Sequence, residues 1–229
     1  MTSALDRVVV TGGASGLGAA VIRAVQKRGG TAVALDRQQP PNGIPWVKAD
    51  LSDPHAAEPA LAAAEEAVGP LTGVVTAAGV DACGRIEDVD LDDWVRVIQV
   101  NLIGTAAIAR AAVPRLEANH GRIVTVASTL GLRALSDATA YCASKFGVVG
   151  FSRALAVETA GRVGVTMLVP GGMQTAFFDG RPEQYKPGPD AMLNDPDAVA
   201  EAVVYALGQP TGVEIRELVV CPSVEPSWP

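Results

Sequence analysis

The chain has 229 residues, 48 % hydrophobic and 19 % charged, with a formal net charge of −7 at pH 7. That is the balance of a folded domain with a sizeable core, not of a disordered chain. The acidic balance argues against general affinity for nucleic acid or an anionic membrane, though one helix terminus can still hold a phosphate-bearing small molecule.

Cys83, Cys142 and Cys221 are scattered, which speaks against a disulfide framework or a metal site and points to the reducing cytoplasm. Met1 to Arg7 lacks the apolar core of a signal peptide. The uncharged stretches are broken by Gly, Pro, Asn or Gln, so no membrane-crossing helix is expected.

Arg7 to Thr11 reads as a short buried strand, followed by the turn Gly12-Gly-Ala-Ser15-Gly16-Leu17-Gly18 and a helix from Ala19 to Arg28. Strand, Gly-rich turn and helix aim backbone N–H groups at a pyrophosphate. Gly12 permits a tight turn, Gly16 and Gly18 permit close approach, and Ser15 can cap the helix or meet a phosphate. Thr31 to Asp36 is a second strand ending in a carboxylate. An acid there accepts ribose hydroxyls and repels a 2′-phosphate, so NAD is favoured over NADP; Arg37 beside it can counter that repulsion. The plain alternative for Asp36 is a loop-start acid.

Pro40-Pro41-Asn42-Gly43 is a turn. Trp46 to Leu51 reads as a third strand, with Asp50 and Leu51 placed for an adenine edge and face; an N-cap or turn role suits Asp50 equally. Asp53-Pro54 opens a helix to about Val68. Gly73 to Ala77 is a fourth strand that stops at the small residues Ala78-Gly79, where a cofactor sugar can lie against backbone.

Asp90 to Asp93 supplies acids for the start of a long helix to about Leu116. Asn101 in its middle reads as a satisfied core amide rather than a helix distortion holding a water. Gly121 to Ser128 is a fifth strand. A helix from Ser136-Asp137 to Thr159 carries Tyr141 and Lys145, four apart and on one face. A free phenol is a poor base at neutral pH, and a nearby cation lowers its pKa. Ser128 precedes Tyr141 at a strand end, where its hydroxyl can reach a carbonyl. Cys142 points elsewhere and reads as a small buried hydrophobe.

Val163 to Val169 is a sixth strand, turning at Pro170-Gly171-Gly172 toward Thr175. Residues 176–195, with two prolines and two glycines, read as a mobile lid. Asp195 to Gly208 is a last helix, Glu217 to Cys221 a seventh strand, and the tail is irregular. Alternating strands and helices predict one α/β domain over 1–229, with a central parallel seven-stranded sheet between two helical layers. Ligands bind such sheets at the carboxyl ends of the strands, where these motifs fall. Candidate substrate walls are Val80, Leu130, Leu132, Met173, Phe177 and Phe178, with Arg85 and Arg133 as charges that can turn inward.

Together, Thr11-Gly12-x3-Gly16-x-Gly18, Asp50, Ala78-Gly79, Asn101, Ser128, Tyr141-x3-Lys145 and Pro170-Gly171-x3-Thr175 resemble the short-chain dehydrogenase/reductase family over nearly the full length. The resemblance implies a doubly wound Rossmann fold and a nicotinamide cofactor held by these motifs, with Leu17, Arg37 and Met173 among the contacts. It implies hydride transfer to or from a secondary alcohol or ketone, with Tyr141 as general acid/base and Lys145 tuning it and binding ribose. Ser128 polarises the carbonyl, Asn101 holds a relay water, Thr175 meets the carboxamide, and Leu130, Gly172 and Phe178 border the substrate. A homodimer or homotetramer, packed through the helices of Asn101 and Tyr141, is implied as well. Thr76-Ala77 departs from the family's usual pair of asparagines, and Thr76 is expected to keep a hydrogen bond there. The alternatives are a non-catalytic nucleotide-binding scaffold or regulator of the same fold, and a nucleotide-sugar epimerase or dehydratase, for which the chain has little room.

Overall fold

The computed structural model describes residues 4–41 and 43–228. Residues 1–3, where the expected lack of a signal peptide begins, and Asn42 of the expected turn lie outside them.

Seven strands form one parallel sheet in the order β3-β2-β1-β4-β5-β6-β7. They are β1 (Arg7–Thr11), β2 (Thr31–Asp36), β3 (Trp46–Lys48), β4 (Gly73–Thr76), β5 (Arg122–Val126), β6 (Gly164–Pro170) and β7 (Glu217–Val220). The order reverses between β1 and β4, which opens a crevice at the carboxyl ends of the strands.

Side chains alternate across a strand, so one sequence feeds two cores. Val9, Val33, Leu35, Val74, Ile123 and Val165 face helices α2 (Ala57–Val68), α4 (Thr105–Glu117) and α5 (Thr139–Glu158). Val8, Val10, Ala34, Val75, Val124 and Leu168 face helices α1 (Gly16–Lys27) and α6 (Pro196–Leu207). Each fully buried branched side chain contributes about 1.5–3 kcal/mol over exposure, which is why near-continuous apolar strands end up covered on both faces. The three-layer α/β architecture expected from the sequence is present.

Several boundaries differ from expectation, among them the first helix, which starts at Gly16 within the Gly-rich turn rather than at Ala19; three others have a clear local reason. The β3 strand stops at Lys48, and Asp50 turns back to accept the Ser52 N–H at 3.0 Å. The Tyr141 helix starts at Thr139, because Asp137 adopts φ +60 and belongs to the preceding turn. The long central helix is divided into α3 (Leu91–Ile98), a π-helical stretch Gln99–Gly104 and α4. By length and composition the run Leu91–Glu117 would suffice to cross a bilayer, contrary to the expectation that no stretch would; here half of its apolar window is buried in the fold.

Candidate active site

The floor of the site is the turn between β1 and α1. Gly12 adopts φ +67 with its backbone against that of Ala78, where a Cβ would lie 2.8 Å from Ala78 Cα. A Cβ on Gly18 would stand 2.2 Å from the Gly12 carbonyl oxygen. The first turn of α1 therefore closes on the strand end with no side chain between, leaving its N-terminus facing the crevice. Ser15 stands at the N-cap without a side-chain cap bond, so its hydroxyl is not committed to the helix.

From this floor a cavity of about 550 Å³ runs along the strand ends. At one end lie Asp36, Arg37, Asp50 and Leu51, and at the other Ser128, Tyr141, Lys145 and the lid residues Phe177 and Phe178. Asp36 accepts the Ala14 N–H at 3.0 Å and the Gln38 N–H at 3.0 Å, tying β2 to the Gly-rich turn. The Ser52 N–H holds the Asp50 carboxyl below its ordinary range, against burial, and the Ser52 hydroxyl, Arg37 and Arg96 add to that lowering. Arg37 turns toward Asp50, 3.8 Å away.

At the other end, Tyr141 and Lys145 share one face of α5, as their spacing predicts. Lys145 is buried and donates through Nζ to the Val126 carbonyl at 2.8 Å. Its Nζ lies 5.6 Å from the Tyr141 ring centroid. Burial pushes the Lys145 ammonium down to about 8. Burial also pushes the Tyr141 phenol up to about 12, with Ser128 lowering it as hydrogen-bond partner, Asp81 raising it and Arg181 lowering it. The sequence alone suggests a phenol pulled below its free value by Lys145. Desolvation of the phenol wins, and the Lys145 ammonium is engaged by the Val126 carbonyl.

Asn101 lies one layer behind the cavity. Its Oδ1 accepts the Val80 N–H at 2.8 Å, and its Nδ2 donates to the Val80 carbonyl at 2.9 Å and to Ser144 Oγ at 3.0 Å. It is a satisfied core amide, as expected, and it also sits in the π-helical distortion that was the rejected reading. The two go together: the wider turn lets one amide reach both the β4 loop and α5. A Cβ on Gly79 would lie 3.6 Å from Asn101 Oδ1 and 4.0 Å from Lys145 Nζ, so the two polar groups face one gap.

Thr76 is a correction. Its Oγ1 is buried and finds no hydrogen-bond partner, whereas the sequence suggested that it would keep one. The strand end is held by Thr11 instead, whose Oγ1 accepts the Ala78 N–H at 3.0 Å. Thr175 Oγ1 accepts the Phe177 N–H at 3.3 Å and caps the short 3-10 turn Ala176–Phe178. Leu132 packs in a core cluster with Val148 and Val149 rather than on the cavity wall.

A family model for short chain dehydrogenases matches residues 6–186. The chain belongs to that family. A relative from Staphylococcus aureus (strain N315), described as an uncharacterized oxidoreductase, is 32 % identical across 97 % of this chain and 100 % of its own length. A glycine betaine reductase from Emericella nidulans is 31 % identical over 95 % of this chain but only 19 % of its own. Among solved structures, a short chain dehydrogenase from Burkholderia cenocepacia in complex with NADP superposes with TM-score 0.83 at 25 % identity, covering 95 % of this chain and 96 % of that one. An alcohol dehydrogenase from Thermococcus sibiricus, complexed with 5-hydroxy-NADP, shares the fold with TM-score 0.81 at 23 % identity, covering 94 % and 95 %.

As a short-chain dehydrogenase the protein is an oxidoreductase with a nicotinamide-cofactor-binding fold, and its crevice fits such a group. The uncapped N-terminus of α1 and the close-packed Gly12 and Gly18 leave a cradle for phosphate. Asp36 and Asp50 border the far end, and Ala78, Gly79, Pro170, Gly171, Met173 and Thr175 border the middle.

From sequence, the short segment after Thr175 leaves the pocket open or closed by the tail or a neighbouring subunit, and the structure shows the tail closing it; the inward arginine is the part of this dehydrogenase site that sequence reading missed. Arg181 is the inward arginine, rather than Arg85 or Arg133. It lies over Phe178 at 4.5 Å and Phe177 at 5.2 Å, and pairs with Asp81. The Cys83 thiol donates to that same Asp81 at 3.0 Å and is pushed up to about 12 by burial and the carboxylate, so it is an inert thiol. The tail also closes the cavity, with Glu225, Pro226 and Ser227 on its wall. No local pattern marked Arg181, because its pairing with Asp81, like the contact of the tail with Thr129, spans roughly a hundred residues of chain.

Proposed function

We propose that the protein transfers a hydride between a nicotinamide cofactor, NAD favoured over NADP, and a secondary alcohol or ketone, with Tyr141 as general acid/base. The observation that carries this reading is the convergence of Ser128, Tyr141 and Lys145 on one end of a single cavity whose other end holds Asp36 and Asp50. A binding module has no need for that set.

When bound, the cofactor accepts or supplies the hydride and, in its oxidised form, brings positive charge. The chain's own residues handle the proton. A phenol pushed up to about 12 is protonated at neutral pH, so Tyr141 is poised to donate to a carbonyl oxygen during reduction. Ser128 holds that oxygen by a hydrogen bond. In oxidation Tyr141 must take the carbinol proton, and positive charge nearby, from Lys145 while it is protonated and from the oxidised cofactor, would favour the phenolate that does so. Asn101 holds the β4 loop and α5 at the spacing this needs. The apolar lid faces, Phe177 and Phe178, suit an apolar or mixed substrate.

Asp36 supports NAD, since its carboxylate stands where a 2′-phosphate would be repelled. The reading includes a homodimer or homotetramer, because Leu91, Val95, Ile103 and Phe146 are exposed apolar residues on the central helices. The cytoplasm is the proposed compartment, given three free cysteines.

The test is cofactor oxidation and reduction over a panel of secondary alcohols and ketones, with NAD(H) and NADP(H) in parallel and Tyr141→Phe as blank. Turnover lost by roughly 10²-fold or more in the blank, with cofactor binding kept, is the expected result. Bound cofactor with no turnover on any pair would favour the scaffold reading.

A further inference from the structure

The tail beyond β7 does more than close a wall. Its chain bends at Ser223 and Val224 and brings Glu225 and Ser227 between the ends of β5 and β6. Glu225 Oε2 accepts the Gly172 N–H at 3.0 Å, in the turn after β6. Glu225 Oε1 accepts the Ser227 N–H at 3.0 Å and the Ser227 hydroxyl at 2.6 Å. Ser227 Oγ lies 2.7 Å from Thr129 Oγ1, and both residues are buried.

A hydroxyl has one proton to give. Ser227 gives its proton to the carboxylate, so Thr129 is the donor between the two hydroxyls. The chain of bonds runs Thr129 to Ser227 to Glu225, with the Gly172 N–H arriving from the other side. It ends on a charge, which strengthens each link. Among the described residues no cation lies within ion-pair distance of Glu225, so neutral donors alone hold it. The fit is close: a Cβ on Gly171 would stand 2.2 Å from Glu225 Oε2. Position 171 must be glycine for the carboxylate to reach Gly172.

We propose that Glu225 is a positioning residue that fixes the Ser128-Thr129 loop and the Gly171-Gly172 turn relative to each other. The first carries the hydroxyl that meets the substrate oxygen, and the second borders the cofactor crevice. The inference rests on the dehydrogenase reading above. A rigid link across these two strand ends holds hydride donor and acceptor in register, and misplacement by about 1 Å costs on the order of 10²-fold in rate.

The test compares wild type with Glu225→Ala, Glu225→Gln, Ser227→Ala and Thr129→Val. Hydrogen exchange is followed in peptides covering 126–132 and 168–174, alongside kcat, KM and thermal midpoint. In Glu225→Ala, exchange should rise in both peptides, and kcat should fall roughly 10- to 100-fold with substrate KM changed much less. Glu225→Gln, which keeps one acceptor oxygen, should recover part of that loss. Ser227→Ala and Thr129→Val should each lower kcat, and the double variant should lose no more than either alone. They carry the test if Glu225→Ala does not fold.

Unchanged exchange in either peptide overturns the proposal. So does raised exchange with unchanged kcat, or a loss of kcat that only follows the thermal midpoint. If wild type itself shows no Tyr141-dependent turnover, the dehydrogenase reading fails, and exchange in the two peptides alone decides the link.

Discussion

Arg181 Nη2 lies 2.5 Å from Asp81 Oδ2, joining the segment after Phe178 to the loop that follows β4, and both charges act on the Tyr141 phenol. The side chains are 18 % and 6 % exposed, so this is a partly buried pair. Removing one partner of a fully buried pair costs about 3–5 kcal/mol; here the loss should be smaller, because Asp81 keeps the Ala82 N–H and the Cys83 thiol as donors. Arg181→Met should therefore destabilise by less than that, and Arg181→Met with Asp81→Asn should recover much of the loss. Urea denaturation of the four proteins measures this; additive losses would remove the pair from the account.

The same neighbours set the pKa of the Tyr141 phenol. Asp81 raises the phenol's pKa and the Ser128 hydrogen bond lowers it. If Tyr141 is the base proposed above, oxidation needs its phenolate, and the rate should climb as pH rises toward that pKa. Asp81→Asn should move the climb to lower pH, and Ser128→Ala should move it higher while cutting turnover roughly 10²-fold. A pH profile of alcohol oxidation for each variant checks the direction, and shifts of the opposite sign would refute the assignment.

Lys145 leaves a mark on stability as well as on chemistry. Its pKa is about 8 in the fold, below the ordinary value of 10.5. Between those values the unfolded chain binds the extra proton, so the lysine's contribution to stability rises as pH rises. The full span amounts to on the order of 3 kcal/mol. Lys145→Met lacks that rise, so its advantage over wild type in the ligand-free protein should shrink from pH 7 to pH 10. Chemical denaturation at the two pH values measures it. Above pH 10, Tyr141 acts the other way, since its raised pKa makes the fold lose stability as the unfolded phenol ionises first.

Gly18→Ala tests the floor of the cradle. The new Cβ would meet the Gly12 carbonyl oxygen at 2.2 Å, and backbone would have to give way. The expected cost is about 1–3 kcal/mol in stability, with nicotinamide-cofactor affinity weakened roughly tenfold or more. Fluorescence titration with NADH and NADPH, beside a thermal melt, reads both. Unchanged affinity in a folded variant would place the cofactor phosphates elsewhere.

Local pattern was enough for the frame. Strand and helix periodicity, the Gly-rich turn and the four-residue spacing of Tyr141 and Lys145 are short-range properties, and the sheet, its helical layers and that shared face follow from them. Asn101 shows where pattern stops. Its position was legible, but its two roles depend on a π-helical turn that only its bonds to Val80 and Ser144 make worthwhile. Thr76 shows the reverse, a polar residue whose expected bond the packed strand end leaves unmade.

The sequence by itself determined the α/β order, the family motifs and the shared helix face of Tyr141 and Lys145. Tertiary structure alone decided the electrostatics at Tyr141, the inward turn of Arg181 toward Asp81, and the docking of Glu225 and Ser227 between two strand ends. The physical reason is range. Propensity and periodicity act within a few residues of chain, whereas desolvation, ion pairing and hydrogen-bond links across the sheet exist only once distant segments are packed against one another.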